Sequence, residues 1–453
     1  MKDLSHITHF YFLGIGGIGM SALARYFHSL GKTVHGYDRT GSVLTDRLVD
    51  EGIGLQYEDE FNHVRDGFKD HETSLVVYTP AVPHDLELLL RFRESGIPTI
   101  KRAQLLGLLS SKMTCLAVAG THGKTTTSAI LAHLLYKSGV KMTAFLGGIV
   151  EEYQSNFLHT GDEVMVVEAD EFDRSFLHLK PNIAGITSMD ADHLDIYGDP
   201  ESFQATFQEF SRLESIDRLL VQQDLTIPGI KVGVEGGAYC VENVVIVDGN
   251  YHFDLKTPRG IVNGYCLKLP GRHNLFNAIL ALSMAIEYGL PAARLKAALL
   301  SFQGVQRRFS YRLNTDKRVL IDDYAHHPTE IDAVHAAVRE MYPDDKITAV
   351  FQPHLFSRTR DFADEFAAAL AQFDVLGLLA IYPAREEPID GVDTAMLCNK
   401  INMLESKPEQ TVIVEKEDVL EFVKELGTRV VLMIGAGDIG VEVFKLIEAL
   451  GRE

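Results

Sequence analysis

Ala119-Gly120-Thr121-His122-Gly123-Lys124-Thr125-Thr126-Thr127 decides how this chain is to be read. An apolar run, Cys115-Leu116-Ala117-Val118, leads into it, and a segment with Ile130, Leu131, Leu134 and Leu135 in one stripe at helical spacing leads out. Strand, glycine loop and helix in that order make a phosphate cradle. The glycines let backbone N–H groups approach the phosphates, and the helix N-terminus adds partial positive charge. In that reading Gly120, Thr121, His122 and Gly123 wrap a triphosphate, and Lys124 meets its β/γ-phosphates. The Thr125 or Thr126 hydroxyl then holds Mg²⁺. One position departs from the usual G-x-x-x-x-G-K-[ST] spacing: Val118 stands where the first glycine belongs.

Working outward, 453 residues divide into about three domains by the usual length prior. With 46% hydrophobic residues, each segment has the material for a core. No apolar run approaches the roughly 18 residues that a membrane span needs, and the N-terminus carries no signal-peptide pattern, so no membrane partner is expected. Cys115, Cys240, Cys266 and Cys398 are scattered without a C-x-x-C pair, which points to a reducing cytoplasm rather than a disulfide framework. A formal net charge of −20 argues against a nucleic-acid partner. Small anionic substrates then require local cations and backbone N–H groups.

The chain reads as three α/β segments. In the first, Phe10–Leu13 runs into Gly14-Ile15-Gly16-Gly17-Ile18-Gly19, and Asp38 follows 24 positions after Gly14. This is a βαβ opening of the dinucleotide-binding kind, ending near Lys101-Arg102-Ala103. The second carries the phosphate loop and two more buried runs. Val164–Val167 ends in Glu168-Ala169-Asp170-Glu171, and Ile183–Ile186 ends in Thr187-Ser188-Met189-Asp190-Ala191-Asp192-His193. Residues 229–269 look like short strands joined by hairpins, with Asp248-Gly249-Asn250 at one turn. The third segment starts around Arg312, and its apolar runs alternate with helical patterns, giving another parallel sheet. Its Gly435-Ala436-Gly437-Asp438-Ile439-Gly440 reads as a strand-to-helix turn without a cofactor. The expected boundaries are 1–105, 106–311 and 312–453.

Phosphoryl transfer needs a cradle, a lysine, a divalent metal and a carboxylate to hold it. Glu168, ending an apolar strand, fits the carboxylate; a merely solvated strand-end acid is the plain alternative. His193 on spacing alone reads as a cap or core histidine, since Mg²⁺ prefers oxygen. The same holds for His273, His326, His327 and His354, and no zinc spacing is present.

Further blocks follow in order. They are Pro270-Gly-Arg-His-Asn274 with Asn277, Gly304-Val-Gln-Arg-Arg-Phe309, and Asp322-Asp-Tyr-Ala-His-His-Pro-Thr329. Phe351-Gln-Pro-His354, Arg358-Thr-Arg360, and Tyr382-Pro-Ala384 with Glu387-Pro388 close the series. With these, and with Gly14–Ser21, Gly120–Thr127 and Glu168–Ser175 before them, the chain resembles the Mur ligases, ATP-dependent amide-forming enzymes of peptidoglycan synthesis, over essentially its whole length. The resemblance implies a Rossmann-like UDP-sugar domain, a central P-loop domain and a C-terminal Rossmann-like domain. It turns the first loop into a UDP-sugar diphosphate site, Gly14 to Gly19, flanked by Asp38 and Thr79. It makes His193 a metal ligand beside Thr125 and Glu168, with Mg²⁺, or Mn²⁺ in its place, as the cofactor. His273, Asn274 and Asn277 are implied on the adenine side of ATP, and Asp323 beside its ribose. Arg308, His327, His354, Arg358 and Arg360 are candidates for the amino-acid carboxylate and an acyl phosphate, with Tyr382 nearby; the sequence does not choose among them. Glu201–Leu213 contains no lysine, which within the family favours an alanine-adding member acting on UDP-N-acetylmuramate, L-alanine and ATP. A monomer or weak homodimer that closes around its substrates is the expected form.

Four other readings compete, one of them a folate polyglutamate ligase, which shares the phosphate loop and central fold but lacks the N-terminal nucleotide-sugar domain. A recycling ligase of the same family would attach a murein tripeptide to the same nucleotide sugar. A nicotinamide dehydrogenase would use the two glycine loops and leave the phosphate loop without a task. A nucleotide-binding regulator would bind ATP without turning it over. Ser188, Phe172 and Arg174 depart from the family pattern and bear on the sugar pocket.

Overall fold

A computed structural model describes residues 4–190, 197, 199–384 and 386–451. Its first sheet is built from β1 (His9–Leu13), β2 (Thr33–Tyr37), β3 (Gly54–Gln56), β4 (Ser74–Tyr78) and β5 (Thr99–Lys101), in the order β3-β2-β1-β4-β5 with every pair parallel. That is the doubly wound order, and the first glycine loop lies at the carboxyl end of β1, where such sheets bind ligands.

The second sheet holds β6 (Thr114–Ala119), β7 (Met142–Val150), β8 (Ser155–His159), β9 (Val164–Glu168), β10 (Ile183–Ile186), β11 (Arg218–Gln222) and β12 (Ile230–Val232). Their order is β12-β11-β10-β6-β9-β7-β8. β6 lies between β9 and β10, parallel to both, and its residues Cys115 to Ala119 are buried on both faces. Burial on both faces explains why the run is continuously apolar rather than alternating. The helix Lys124–Lys137 buries every residue from Thr125 to Leu135, so it is an interior helix and not the one-sided helix its stripe suggested.

The first two sheets share one core, in which Phe10, Phe12, Met20 and Leu23 belong to the same cluster as Phe145, Met165 and Phe176. Tyr26 meets Phe145 edge-on with ring centroids 5.5 Å apart, a geometry that adds about 0.5–1.5 kcal/mol beyond the buried area. Asn156 of β8 donates through Nδ2 to the Ile18 carbonyl and accepts from Arg25 Nη1 at 2.6 Å. Arg25 in turn grips Glu51 with two bonds of 2.7 Å.

A smaller sheet, β13 (Cys240–Val247), β14 (Asn250–Thr257) and β15 (Gly260–Leu267), follows in the order of the chain. Asp248 and Gly249 turn between β13 and β14 with φ of 51° and 74°, the doubly left-handed geometry of a tight hairpin. The last sheet contains β16 (Ser310–Asn314), β17 (Val319–Asp323), β18 (Ile347–Phe351), β19 (Val375–Leu378), β20 (Gln410–Ile413) and β21 (Val430–Ile434). Its order is β16-β17-β21-β18-β19-β20. It is not purely parallel: β16 runs antiparallel to β17 along one edge, and it begins at Ser310, ahead of the expected Arg312.

By compactness the chain falls into two units. One comprises Met1–Asn243, Phe253–Tyr265 and Asn277–Phe302; the other comprises Val244–His252, Cys266–Phe276 and Gln303–Glu453. The shared core accounts for the first two sheets forming a single unit. All four cysteines are free thiols, and no described helix is long and apolar enough to cross a membrane.

Candidate active site

In the first unit, Gly120 to Gly123 join β6 to the helix Lys124–Lys137. Gly120 has φ +132°, and a Cβ there would lie 2.8 Å from the Ser188 N and even closer to Thr187 Oγ1. Gly123 has φ +81°, and a Cβ there would overlap Asn277 Oδ1. Both glycines are thus required by backbone conformation and by close approach. The loop is tied to the end of β10: Thr121 N donates to Ser188 O (3.3 Å), His122 N to Ser188 Oγ (2.9 Å), and Thr121 Oγ1 to Asp190 O (2.7 Å). Ser188 thereby acts as a loop anchor. Thr126 is buried in the first turn of the helix.

Lys124 Nζ donates to Gly120 O (2.5 Å), Thr121 O (3.1 Å) and Glu171, which lies 2.8 Å away in a pair with side-chain exposures of 12% and 2%. Burial pushes Glu171 up to about 7, against the pull of the Lys124 ammonium. Burial would lower Lys124, but Glu171, Glu168 and Asp170 outweigh it and hold the ammonium above its ordinary value. Glu171 was visible in the sequence only as one acid in a row of three.

Thr125 Oγ1 donates to Glu168 Oε2 at 2.9 Å. Opposite, a Cβ on Gly147 would overlap that carboxylate, so the glycine keeps the space in which Glu168 sits. An all-oxygen pair at the mouth of a phosphate loop suits a hard cation such as Mg²⁺. Among the described residues, no group of three or more His, Cys, Asp and Glu side chains is arranged to hold a metal. His193 lies outside the described residues.

In the first sheet, Gly14 has φ +82° and a Cβ there would come within 3.1 Å of Thr79 Cγ2. Gly16 N donates to Asp38 Oδ2 at 2.8 Å, which places that acid against the loop. Ile15 is fully buried, and Gly17 precedes the helix Ile18–Ser29. At Gly19, in the first turn of that helix, a Cβ would overlap Arg102 Nη1, while Arg102 Nη2 donates to Asp170 Oδ2 at 2.9 Å. From sequence, Arg102 marked only a segment edge.

In the second unit, Asp323 is buried and accepts from Phe309 N and Ala325 N, both at 2.7 Å; burial pushes it up to about 6. Arg308 lies over the Tyr324 ring at 5.0 Å. His327 caps the helix Pro328–Met341, its Nδ1 accepting from Thr329 N at 3.4 Å. His354 and Tyr382 form a parallel bridge with stacked rings, centroids 5.7 Å apart, and Arg358 Nη1 is 3.5 Å from His354 Nδ1. These three candidates come together; Arg360 is exposed, with its Nε on Asp361 at 2.7 Å. His273 and Asn274 open the helix Arg272–Tyr288, and burial pushes His273 down to about 4. Asn274 Nδ2 donates to Pro270 O at 2.7 Å. Among the described residues, six of the nine non-glycine residues with left-handed φ lie in or beside the motif blocks: Asp173, Arg174, Arg307, Phe309, Leu355 and Ala384. Strain of this kind collects at ligand clamps and active sites.

The second glycine loop is filled by the protein itself. Arg307 Nη2 donates to Gly435 O (2.5 Å) and Gly437 O (3.2 Å), Gln352 Oε1 accepts from Ile439 N (2.9 Å), and Gly437 packs on Tyr382.

Comparison with known proteins accords with this layout. Residues 9–114 match the model of the Mur ligase family catalytic domain, 118–285 the Mur ligase middle domain, and 307–437 the Mur ligase glutamate ligase domain. The UDP-N-acetylmuramate–L-alanine ligase of Christiangramia forsetii is 54% identical, covering 100% of both chains. The chain belongs to the Mur ligase family. A second such family member, the enzyme of the same name from Flavobacterium johnsoniae, is 52% identical over 97% of each chain. The crystal structure of the UDP-N-acetylmuramate–alanine ligase of Thermotoga maritima superposes with a TM-score of 0.83 at 30% identity, covering 98% of this chain and 99% of that one. A murein peptide ligase from Psychrobacter arcticus, at 22% identity and TM-score 0.70, shares the family fold.

Proposed function

We propose that this Mur ligase joins the amino group of L-alanine to the lactyl carboxylate of UDP-N-acetylmuramate, driven by ATP. The names and full-length identity of its relatives support the substrate pair. The observation that carries the chemistry is the phosphate loop with Lys124 at its end and the Thr125–Glu168 pair beside it. A lactyl carboxylate oxygen attacks the γ-phosphorus, the bond to the β-bridging oxygen breaks, and ADP leaves. The alanine amine then attacks the acyl phosphate, phosphate departs, and the amine gives up its proton.

Each part of the chain has a task in that sequence. The helix N-terminus behind the loop would receive the phosphates, and Lys124 would neutralise charge on the transferring group. Thr125 and Glu168 would hold Mg²⁺, with His193 as a further ligand by resemblance; the ion, when bound, supplies charge neutralisation on the phosphates. Gly14–Gly19 with Asp38 and Thr79 would receive the UDP-sugar diphosphate. His273, Asn274, Asn277 and Asp323 would line the adenosine. Arg308 and His327 would face the acyl phosphate, and His354, Arg358 and Tyr382 the amino-acid carboxylate, where an arginine fork suits two oxygens. Arg360, exposed, stands as the weakest member of that set. Segments 1–105, 106–311 and 312–453 would then serve the nucleotide sugar, ATP and the amino acid in turn, in the cytoplasm.

The test is phosphate release from ATP/Mg²⁺ with UDP-N-acetylmuramate, comparing L-alanine with the tripeptide L-Ala-γ-D-Glu-meso-diaminopimelate. Release dependent on L-alanine, with the matching product mass, is expected. Release only with the tripeptide would move the chain to the recycling reaction.

A further inference from the structure

Three acids of one short segment hold cations from two places in the first unit. Asp170 Oδ2 accepts from Arg102 Nη2 at 2.9 Å, Glu171 lies 2.8 Å from Lys124 Nζ, and Asp173 Oδ2 accepts from Lys101 Nζ at 2.8 Å. Lys101 ends β5, Arg102 opens the helix Arg102–Ser110, and Lys124 opens the helix behind the phosphate loop. One stretch of four residues therefore touches both nucleotide sites.

Two features make this more than a set of surface pairs. The Arg102 guanidinium rests against Gly19, in the first turn of the helix Ile18–Ser29, where any larger residue would collide with it. A guanidinium offers five N–H donors, so the fork on Asp170 retains capacity for an anion at that helix start. At the other end, the three protons of the Lys124 ammonium are matched by three acceptors, Gly120 O, Thr121 O and Glu171. A nucleotide phosphate must displace one of them. Just after Asp170 and Glu171, Asp173 and Arg174 take consecutive left-handed conformations with φ of 52° and 54°. Non-glycine residues rarely hold such geometry, and it recurs in switch segments.

We propose that Asp170–Asp173 is an electrostatic strap: a diphosphate on the Gly14–Gly19 loop draws Arg102 away from Asp170, and the shift of the strap loosens the hold of Glu171 on Lys124. Occupancy of the nucleotide-sugar loop thereby readies the phosphate loop for ATP. Arg102 senses the diphosphate, and Asp170 and Glu171 are positioning residues. The inference rests on reading Gly14–Gly19 as the nucleotide-sugar site.

Calorimetry on the full chain tests it, using a non-hydrolysable ATP analogue with Mg²⁺, with and without saturating UDP-N-acetylmuramate. The wild type is expected to bind the analogue about fivefold or more tightly when the sugar nucleotide is present. Asp170→Asn, which frees Arg102 without ligand, is expected to bind the analogue alone about fivefold more tightly than the wild type does, so that the coupling ratio falls to about one, and Asp170→Glu to retain part of the ratio. A purely structural carboxylate would weaken both separate affinities instead. An unchanged ratio in Asp170→Asn overturns the strap, as does a ratio of one in the wild type with the sugar nucleotide demonstrably bound. Failure of the wild type to bind the sugar nucleotide at all would remove the underlying site reading, and the strap with it. Hydrogen exchange at amides 170–174 of the wild type, which needs no variant, is expected to quicken on adding the sugar nucleotide; unchanged exchange counts against the strap.

Discussion

Lys124 and Glu171 face each other at 2.8 Å with little water around either, so each is costly to bury without the other. Lys124→Met should therefore show two separable effects. Phosphate release should fall by roughly 10²–10³-fold, the usual cost of removing one donor aimed at developing charge. Stability should also fall by about 3–5 kcal/mol, because a buried carboxylate is left without its partner. Adding Glu171→Gln should recover most of the stability and none of the activity. Thermal unfolding beside the phosphate assay reads both, and a double variant as unstable as the single one would sink the pairing argument. Gly147 offers a second handle, since its missing side chain leaves room for Glu168 beside Thr125. Gly147→Ala should raise the Mg²⁺ concentration for half-maximal activity about tenfold or more, as disturbed metal surroundings generally do. Neither partner of Lys124 nor that of Arg102 was legible from sequence. The pairs lie 47 and 68 positions apart, and charged side chains at such distances follow no periodicity. Lys124, Thr125 and Glu168 were legible because each sits at a fixed offset from a glycine or a strand end.

At the scale of elements, buried strands announce themselves and edge strands do not. β6, β9, β10, β17, β18 and β21 are continuous apolar runs because both faces are covered. β16 (Ser310–Asn314) and β20 (Gln410–Ile413) line the edges of the last sheet, half exposed and mixed in polarity, so they lack that signal. The second glycine loop shows the same limit in reverse. Its spacing alone could not show that Arg307, 128 positions from Gly435, donates into it. Inside the first sheet, His35 of β2 stacks on Tyr11 of β1 and is 6% exposed, with its Nδ1 lacking a hydrogen-bond partner. Burial, with Arg65 nearby, pushes His35 down to about 4. A histidine whose folded pKa is depressed gives stability that is fully present above its unfolded pKa of about 6.5 and lost as pH falls toward 4. The wild type should therefore lose roughly 2–3 kcal/mol relative to His35→Leu between pH 7 and pH 4. Thermal midpoints of both proteins across that range check it; parallel curves would show that His35 does not titrate differently on folding.

For the whole molecule, the placement of its cores sets which parts stand alone. The first sheet owns one core, with Tyr11, Tyr37, Phe68 and Phe92 on one face. Its other face shares a core with the second sheet, where Phe10, Leu23 and Tyr26 join Phe145, Met165 and Phe176. The last sheet is different, since its two clusters draw only on residues between Phe309 and Leu450. The sequence pattern marks three similar α/β segments, yet folding treats them unequally, because pattern records which residues are buried and not what buries them. Residues 303–451, expressed alone, should give a cooperative melt and dispersed amide spectra. Residues 1–105, expressed alone, should lose the packing of Tyr26 and its neighbours on Phe145 and expose one face of the helix Ile18–Ser29. Each large side chain uncovered forfeits about 1.5–3 kcal/mol of burial, and a few such losses match the 5–15 kcal/mol by which a domain is stable. That fragment should melt broadly and bind hydrophobic dyes. A sharp transition for 1–105 near the temperature of the full chain would show that the shared core adds little, and that the first sheet folds on the strength of its private face.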